Sequence, residues 1–328
     1  MSAGRRIGTD DHEGFDRPRR RTRPRTKNRP DYSEAEIGMI TSITRGRYQV
    51  LVGDRPVIAV KARQLGRKAA IVGDRVRVVG DTSGAEGTLA RIVDVEARRS
   101  VLRRTADDDD PYERPIVANA DQLVIVTALA DPPPRTGMID RILVAGYDAG
   151  VAPLLCLTKA DLASPDDLVA AYAPLDVPIV VLDPDAELAP LQDALQDRVS
   201  VLVGHSGVGK STLVNRLIPD ADRATGGVNE VTGRGRHTST SAIALPLPGG
   251  GWVIDTPGVR SFGLSHVDPA TIIAAFGDLA EIARDCPRGC DHRTGAPDCA
   301  LDPAVAAGRV SAERVASFRR MISAEREP

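Results

Sequence analysis

The stretch GHSGVGKST at residues 204–212 decides how the rest of the chain is read. Gly204, then His205, Ser206, Gly207 and Val208, then Gly209, Lys210 and Ser211 fit the phosphate-loop pattern, whose glycines let successive backbone N–H groups turn inward around phosphate oxygens. Lys210 then reaches the β- and γ-phosphates, Ser211 reaches a Mg²⁺ ion bound with the nucleotide, and Thr212 continues the cradle. The run RVSVLV before the loop (198–203) reads as a strand, and TLVNRLI after it (212–218) has helical apolar spacing at Leu213, Leu217 and Ile218. That context suits an anion, because a helix start offers free N–H donors and the positive end of its dipole. The plain alternative is a chance glycine-rich turn. Against it, only five lysines stand among the 43 basic residues, and two of them, Lys159 and Lys210, fall in nucleotide motifs where arginine's planar fork substitutes poorly.

Around this loop the near-continuous apolar runs QLVIVTAL, VAPLLCLT, VPIVVLD, VSVLVG and WVIDTPG alternate with helical stretches such as 138–149, the pattern of parallel strands covered on both faces. Ligands in such sheets bind beyond the carboxyl ends of the strands. Two further motifs sit at such ends. In TKAD, Asp161 offers a carboxylate to the paired N–H donors of guanine, which adenine lacks, and Lys159 can lay its stem along the base beside Thr158. In DTPG, Asp255 can hold Mg²⁺ through water and the N–H of Gly258 can sense a γ-phosphate. Each motif alone is an ordinary turn. The base reader precedes the phosphate loop, the reverse of the usual order. A site needs its loops close in space and not in any chain order, so the chain is read as circularly permuted.

With 328 residues, 42% of them apolar and only 3% aromatic, the chain can build two or three domains with cores of Val, Leu, Ile and Ala. No apolar run is long enough to span a bilayer and the charged N-terminus does not read as a signal peptide, so a cytoplasmic protein without a membrane partner is expected. The net charge of −2 hides a segregation: residues 37–104 hold fourteen basic and six acidic residues, whereas 105–328 hold nineteen and thirty-two. The stretch 17–29 holds eight basic residues and no acidic one, with prolines that argue for a disordered arm. Its plain reading is a solubilising tail. A polyanion such as RNA, met by the front of the chain, accounts for the whole distribution better. Residues 37–104 contain five short β-rich segments, IGMITSI, RYQVLVG, PVIAVKA, DRVRVVG and GTLARIVDVEA, which close most economically as an OB-fold-like barrel, with an SH3-like barrel as the alternative. Tyr48 is the only aromatic there, so phosphate or shape contacts are expected rather than base stacking.

Near the C-terminus, CPRGCDHRTGAPDC places Cys286, Cys290, His292 and Cys299 together, a ligand set for one tetrahedral, structural Zn²⁺ per chain. Cys156, inside an apolar strand, reads as packing. Val315, Phe318, Met321 and Ile322 share one helical face, expected to pack against the zinc module.

TKAD, GHSGVGKS and DTPG in that order, between a barrel-like front and a Cys/His cluster, resemble the ribosome small-subunit-dependent GTPases, the RsgA or YjeQ family. IVANADQLVIV (116–126), GRGRHTST (233–240), PGVRSFGL (257–264) and VGDRV (72–76) add to the likeness. The resemblance covers roughly residue 37 to the C-terminus, and behind the basic arm (1–36) it implies a multidomain chain: an RNA-binding barrel (37–104), a permuted α/β GTPase domain (105–270) and a small zinc-binding helical domain (271–328). It implies a monomeric, cytoplasmic enzyme that binds the 30S subunit and its 16S rRNA in late maturation, with Mg-dependent GTP hydrolysis stimulated by that subunit. It also implies that His237 positions the attacking water, since Val259 follows DTPG where many GTPases carry glutamine, and that Thr238 or Thr240 holds Mg²⁺ and the γ-phosphate. An exposed loop histidine without catalytic duty is the plain reading of His237.

Three departures from the family pattern stand out. Thr158 occupies a usual asparagine position. The loop after PIVV reads Leu182-Asp183-Pro184, where proline has no N–H to offer guanine. The zinc spacing is C-x3-C-x-H-x6-C, not C-x4-C-x-H-x5-C. A P-loop ATPase or kinase, and an RNA-binding scaffold with weak nucleotide turnover, are the competing classes. Because DTPG leads almost directly into the Cys/His cluster, loss of the γ-phosphate is expected to relax residues 255–263, reorient the zinc module and weaken the grip on the ribosome.

Overall fold

The computed structural model describes residues 31–66, 70–104, 114–185, 187–219, 242–256 and 269–323. Two units are separable: Met1–Glu34, whose basic stretch lies outside the described residues, and Ala35–Pro328, to which all that follows refers. Five strands open the latter: β1 (Glu36–Thr44), β2 (Arg47–Val52), β3 (Arg55–Lys61), β4 (Arg75–Gly80) and β5 (Ala90–Val95). Alternating side chains of these strands, including Ile40, Val50, Val57, Val76, Val78 and Ile92, turn inward. β1, β2 and β3 form a meander, β3 pairs parallel with β5, β5 antiparallel with β4, and β4 closes on β1, giving the OB-type barrel expected. Tyr48 belongs to its interior at 9% exposure, so it provides no stacking platform.

β6 (Val101–Arg104) and β7 (Arg114–Ala118) form a separate two-stranded sheet that carries the chain out of the barrel. This hairpin has no counterpart in the sequence reading. The segment after β7 makes the joint between the barrel and the parallel sheet that follows. The Asn119 side chain donates to the Gly73 carbonyl at 2.9 Å and accepts from the Arg99 N–H at 2.8 Å, and the Ala118 N–H reaches the Val72 carbonyl at 3.0 Å. The backbones approach so closely that a Cβ at Gly73 would lie 2.1 Å from the Ala118 oxygen. Asp74, fully buried, accepts from the Ile71 N–H at 2.8 Å and from the Arg98 fork at 2.7 and 2.8 Å. VGDRV and IVANAD are therefore two halves of one structural joint.

The second sheet contains β8 (Gln122–Ala128), β9 (Ala152–Thr158), β10 (Ile179–Val181), β11 (Val199–Val203), β12 (Ile243–Pro246) and β13 (Trp252–Asp255), in the spatial order β10-β9-β8-β11-β13-β12. All pairs are parallel except β12 with β13. β12, which the sequence reading did not separate, also touches β1 at Ser42 and Ile243, so barrel and sheet share one continuous hydrogen-bonded surface. Helices α1 (Thr136–Asp148), α2 (Asp166–Tyr172), α3 (Ala189–Leu195) and α4 (Lys210–Leu217) cover the faces. Successive strand residues enter opposite cores: Leu123 and Ile125 pack on the side of α1, while Val124 and Val126 pack with Leu191, Leu195 and Leu213 of α3 and α4. Cys156 lies in that second core, where burial pushes its thiol up to about 12, as suits an inert packing residue.

Four further helices follow: α5 (Pro269–Ile273), α6 (Gly277–Ala283), α7 (Leu301–Ala306) and α8 (Ala312–Ser323). Val315, Phe318, Met321 and Ile322 are buried along one face of α8, as their spacing predicts. Their partner differs from expectation: besides α7, the helix packs on α1 and on the 3-10 turn Ala173–Leu175, which belong to the cover of the parallel sheet. The reason is an aromatic and ionic seat that spacing alone does not encode. Phe318 meets Phe276 edge-on at 5.5 Å, and Phe276 meets Tyr147 of α1 at 4.9 Å. Arg314 pairs with Asp176 at 2.7 Å and Asp278 at 2.8 Å, and Arg320 pairs with buried Asp140 at 3.0 Å.

Candidate nucleotide and metal sites

The chain moves outward from β8 to β9 and β10, then returns to the other side of β8 with β11. The crevice between β8 and β11, at their carboxyl ends, is the switch point where such sheets bind ligands, and residues 204–209 lie over it. Gly204 is required there: it has φ +151°, and a Cβ would lie 2.1 Å from the Val126 carbonyl oxygen. Lys210 opens α4 and turns back over the loop, its ammonium donating to the carbonyls of Gly204 and, at 2.8 Å, His205. Burial pushes this ammonium below the usual lysine range, and the Asp255 carboxylate opposes the shift. Ser211 and Thr212 are exposed in the first turn of the helix, Ser206 and Gly207 are exposed on the loop, and Val208 is buried beneath it. His205 is half-buried, with Nδ1 2.9 Å from the Ser206 carbonyl.

Thr158 ends β9 two strands away, and its hydroxyl lies 2.7 Å from the Val208 carbonyl. The two residues stand fifty positions apart in sequence. Thr158 therefore ties the TKAD segment to the GHSGVGKST loop. Lys159 holds φ +60°, and its ammonium donates to the Asp131 carbonyl, tying the segment before α1 to the same corner. Asp161 is exposed beyond it. The loop after β10 lies alongside: Leu182 donates to Leu157 O at 2.7 Å and accepts from the Ala160 N–H at 3.2 Å. Asp183 uses its carboxylate on the Asp185 N–H at 2.9 Å, forming a turn of its own.

On the other flank β13 pairs Asp255 with Leu202 of β11, so Asp255 stands beside the phosphate loop. Thr256, which motif reading passed over, is 2% exposed and donates to the Leu202 carbonyl at 2.7 Å, pinning the start of DTPG to the strand that carries the loop. Its signal in sequence is only that a small hydroxyl follows a buried strand. His237, Thr238, Thr240, Gly258 and Val259 lie outside the described residues.

The metal-ligating atoms of Cys286, Cys290, His292 and Cys299 all lie within 4.8 Å of one another. His292 Nδ1 is 3.6 Å from Cys286 Sγ and 3.9 Å from Cys299 Sγ. The altered spacing is absorbed by tight turns, with His292 and Asp298 at φ +55° and +54°. Three soft sulfurs and one imidazole converging at this separation fit a tetrahedral Zn²⁺. The Ala300 N–H donates to Cys286 Sγ at 3.2 Å, a bond that suits a thiolate.

A family profile described as RsgA GTPase matches residues 95–265. The small ribosomal subunit biogenesis GTPase RsgA of Azotobacter vinelandii is 41% identical over 269 residues, covering 79% of this chain and 76% of its own. The protein of the same name from Chlorobaculum parvum is 34% identical over 305 residues, covering 87% and 97%. Among solved structures, YjeQ from Thermotoga maritima matches 89% of this chain and 99% of its own with a TM-score of 0.65 at 24% identity. YloQ, described as a circularly permuted GTPase, matches 92% and 99% with the same score and identity. At that identity the two structures speak for the fold, including its permuted strand order.

Proposed function

The chain belongs to the RsgA family of GTP-hydrolysing enzymes, and from that premise we propose that it hydrolyses GTP on the small (30S) ribosomal subunit during late maturation. The observation that carries the reading is the Thr158–Val208 bond, which joins the base-reading segment to the phosphate loop. In this reading Asp161 accepts from guanine, Lys159 flanks the base, and the N–H groups of residues 204–212 with Lys210 hold the phosphates. Ser211 and Asp255 would hold Mg²⁺, which would supply positive charge to the phosphates when bound. His237 orients the attacking water, which Val259 cannot do, and Thr238 or Thr240 with Gly258 senses the γ-phosphate. Cys286, Cys290, His292 and Cys299 hold one structural Zn²⁺ with no position open for chemistry.

The basic arm (1–36) and barrel (37–104) meet 16S rRNA through phosphates, the GTPase unit spans 105–270, and the zinc module follows from 271. The protein acts as a cytoplasmic monomer; among the described residues no helix is long and apolar enough to cross a membrane. Loss of the γ-phosphate relaxes residues 255–263 and loosens the grip on the subunit.

The test is GTP turnover with and without purified 30S subunits, for the wild type and Lys210→Ala. Stimulation by the subunit, lost in the variant, supports the reading. Turnover indifferent to the subunit, or ATP competing with GTP on equal terms, overturns it.

A further inference from the structure

Arg319 and Arg320 are consecutive residues of α8 with different partners. Arg319 Nε donates to the His292 carbonyl at 3.1 Å, its Nη2 lies 3.8 Å from Cys299 Sγ, and its fork closes on Asp302 at 2.7 and 3.0 Å. Arg320 instead forks onto Asp140 of α1 at 3.0 and 3.4 Å, donates to the Ala171 carbonyl at 3.3 Å and stacks over the Tyr172 ring at 5.0 Å. The groups these arginines touch at each end are buried, His292 at 5% exposure, Cys299 at 3% and Asp140 at 2%, while Asp302, which shares Arg319, stands at the surface.

Charge explains why arginine stands at each end. Three thiolates, a neutral imidazole and Zn²⁺ sum to one net negative charge, which is costly in a low-dielectric setting unless a cation touches it. Arg319 touches the site at a thiolate and at a ligand's own carbonyl. Asp140, equally buried, is paired by Arg320.

We propose that Arg319 is a positioning residue for the metal centre, and that Arg319 and Arg320 together make α8 a two-sided clamp whose seating on α1 depends on the bound metal. This rests on the zinc reading above. Without the ion, nothing draws His292 and Cys299 onto one centre, so Arg319 loses two of its three partners in their fixed places. The next residue then holds Asp140 from a helix that keeps Arg314 and its apolar face but has lost its anchor on the metal side. The coupling is reciprocal, because whatever seats α8 also retains the metal. Its far end matters for the nucleotide. Met138, Ile139 and Ile142 of α1 line a pocket together with Gly204, His205 and Val208, so α1 connects the clamp to the phosphate loop through one rigid element.

The experiment uses the purified full chain. Metal content is measured first by elemental analysis, then zinc release to a competing chelator is timed with a colorimetric indicator for the wild type, Arg319→Met and Arg319→Lys. Amide hydrogen exchange over 136–148 and 312–323 is compared before and after zinc removal from the wild type. The clamp requires release about 10–100-fold faster from Arg319→Met, with Arg319→Lys between. It also requires faster exchange in α1 once zinc is removed, with β8 and β9 still protected. A chain that holds no zinc overturns the metal reading and the clamp with it. One zinc released at the same rate from all three proteins, or unchanged exchange in α1 after its removal, overturns the clamp alone. The exchange measurement needs no variant, so it stands even if Arg319→Met fails to fold.

Discussion

The Thr158 hydroxyl lies 2.7 Å from the Val208 carbonyl oxygen, and both residues are buried. A buried carbonyl without a partner is expensive, so this bond is expected to matter both for the fold and for how the TKAD segment, the proposed base reader, is held. Thr158→Val keeps the shape and removes the donor. Its expected cost is about 1–3 kcal/mol in denaturant unfolding, with roughly tenfold weaker binding of a GTP analogue. Thr158→Asn, which restores a donor, should recover most of both. Valine behaving as wild type in both measurements would show that the bond contributes nothing.

Gly204 has no room for a methyl group, since the obstruction is the backbone carbonyl of Val126 and not a side chain that can swing away. Gly204→Ala must push the ends of β8 and β11 apart or distort the loop. A loss of about 2–4 kcal/mol in stability, together with loss of nucleotide binding, is expected. Gly249, with open space around its Cβ position, is the control: Gly249→Ala should unfold at nearly the wild-type midpoint.

Burial pushes the metal-free Cys286 thiol up to about 11 and raises that of Cys290. Both are therefore protonated at neutral pH before metal arrives, whereas zinc takes thiolates. Binding must release roughly two protons from these two residues before the remaining ligands are counted, so the apparent affinity falls by at least about a hundredfold for each pH unit of acidification. Calorimetric titration at pH 6.5 and 7.5, in buffers of different ionisation enthalpy, measures both quantities. Affinity independent of pH would contradict the ligand set.

Asp74 is fully buried, and its Arg98 partner has a side chain 23% exposed. Asp74→Ala leaves that guanidinium and the Ile71 N–H without their acceptor at the base of the barrel. The expected loss is about 3–5 kcal/mol, seen as a lower unfolding midpoint, while Asp74→Asn keeps an acceptor and should lose less. An undisturbed midpoint in the alanine variant would remove Asp74 from the joint.

Local pattern carried much of this protein into view. The five barrel strands, the parallel runs, the phosphate loop and the Cys/His ligand types all rest on short-range rules: side-chain alternation, apolar continuity, and the glycines and donors a phosphate needs. Even the zinc spacing, shifted by one residue on each side of Cys290 and His292, left the ligand types readable because turns near His292 and Asp298 take up the difference. β6, β7 and β12 (VLRR, RPIVA and IALP) escaped because paired arginines or a proline interrupt each one's apolar pattern, whereas the equally short β10 and β13 are apolar except for the last residue of β13.

The sequence by itself determined the chemistry available: which groups could hold phosphate, base and metal, and that their order along the chain was permuted. Only the tertiary structure decided which of them support one another. Thr158 bonds Val208, Asn119 locks the barrel loop at Gly73, and Arg320 reaches Asp140 across 180 positions of chain. The physical reason is that a hydrogen bond or ion pair depends on distances of about 3 Å in space, and sequence patterns report only on neighbours a few residues away.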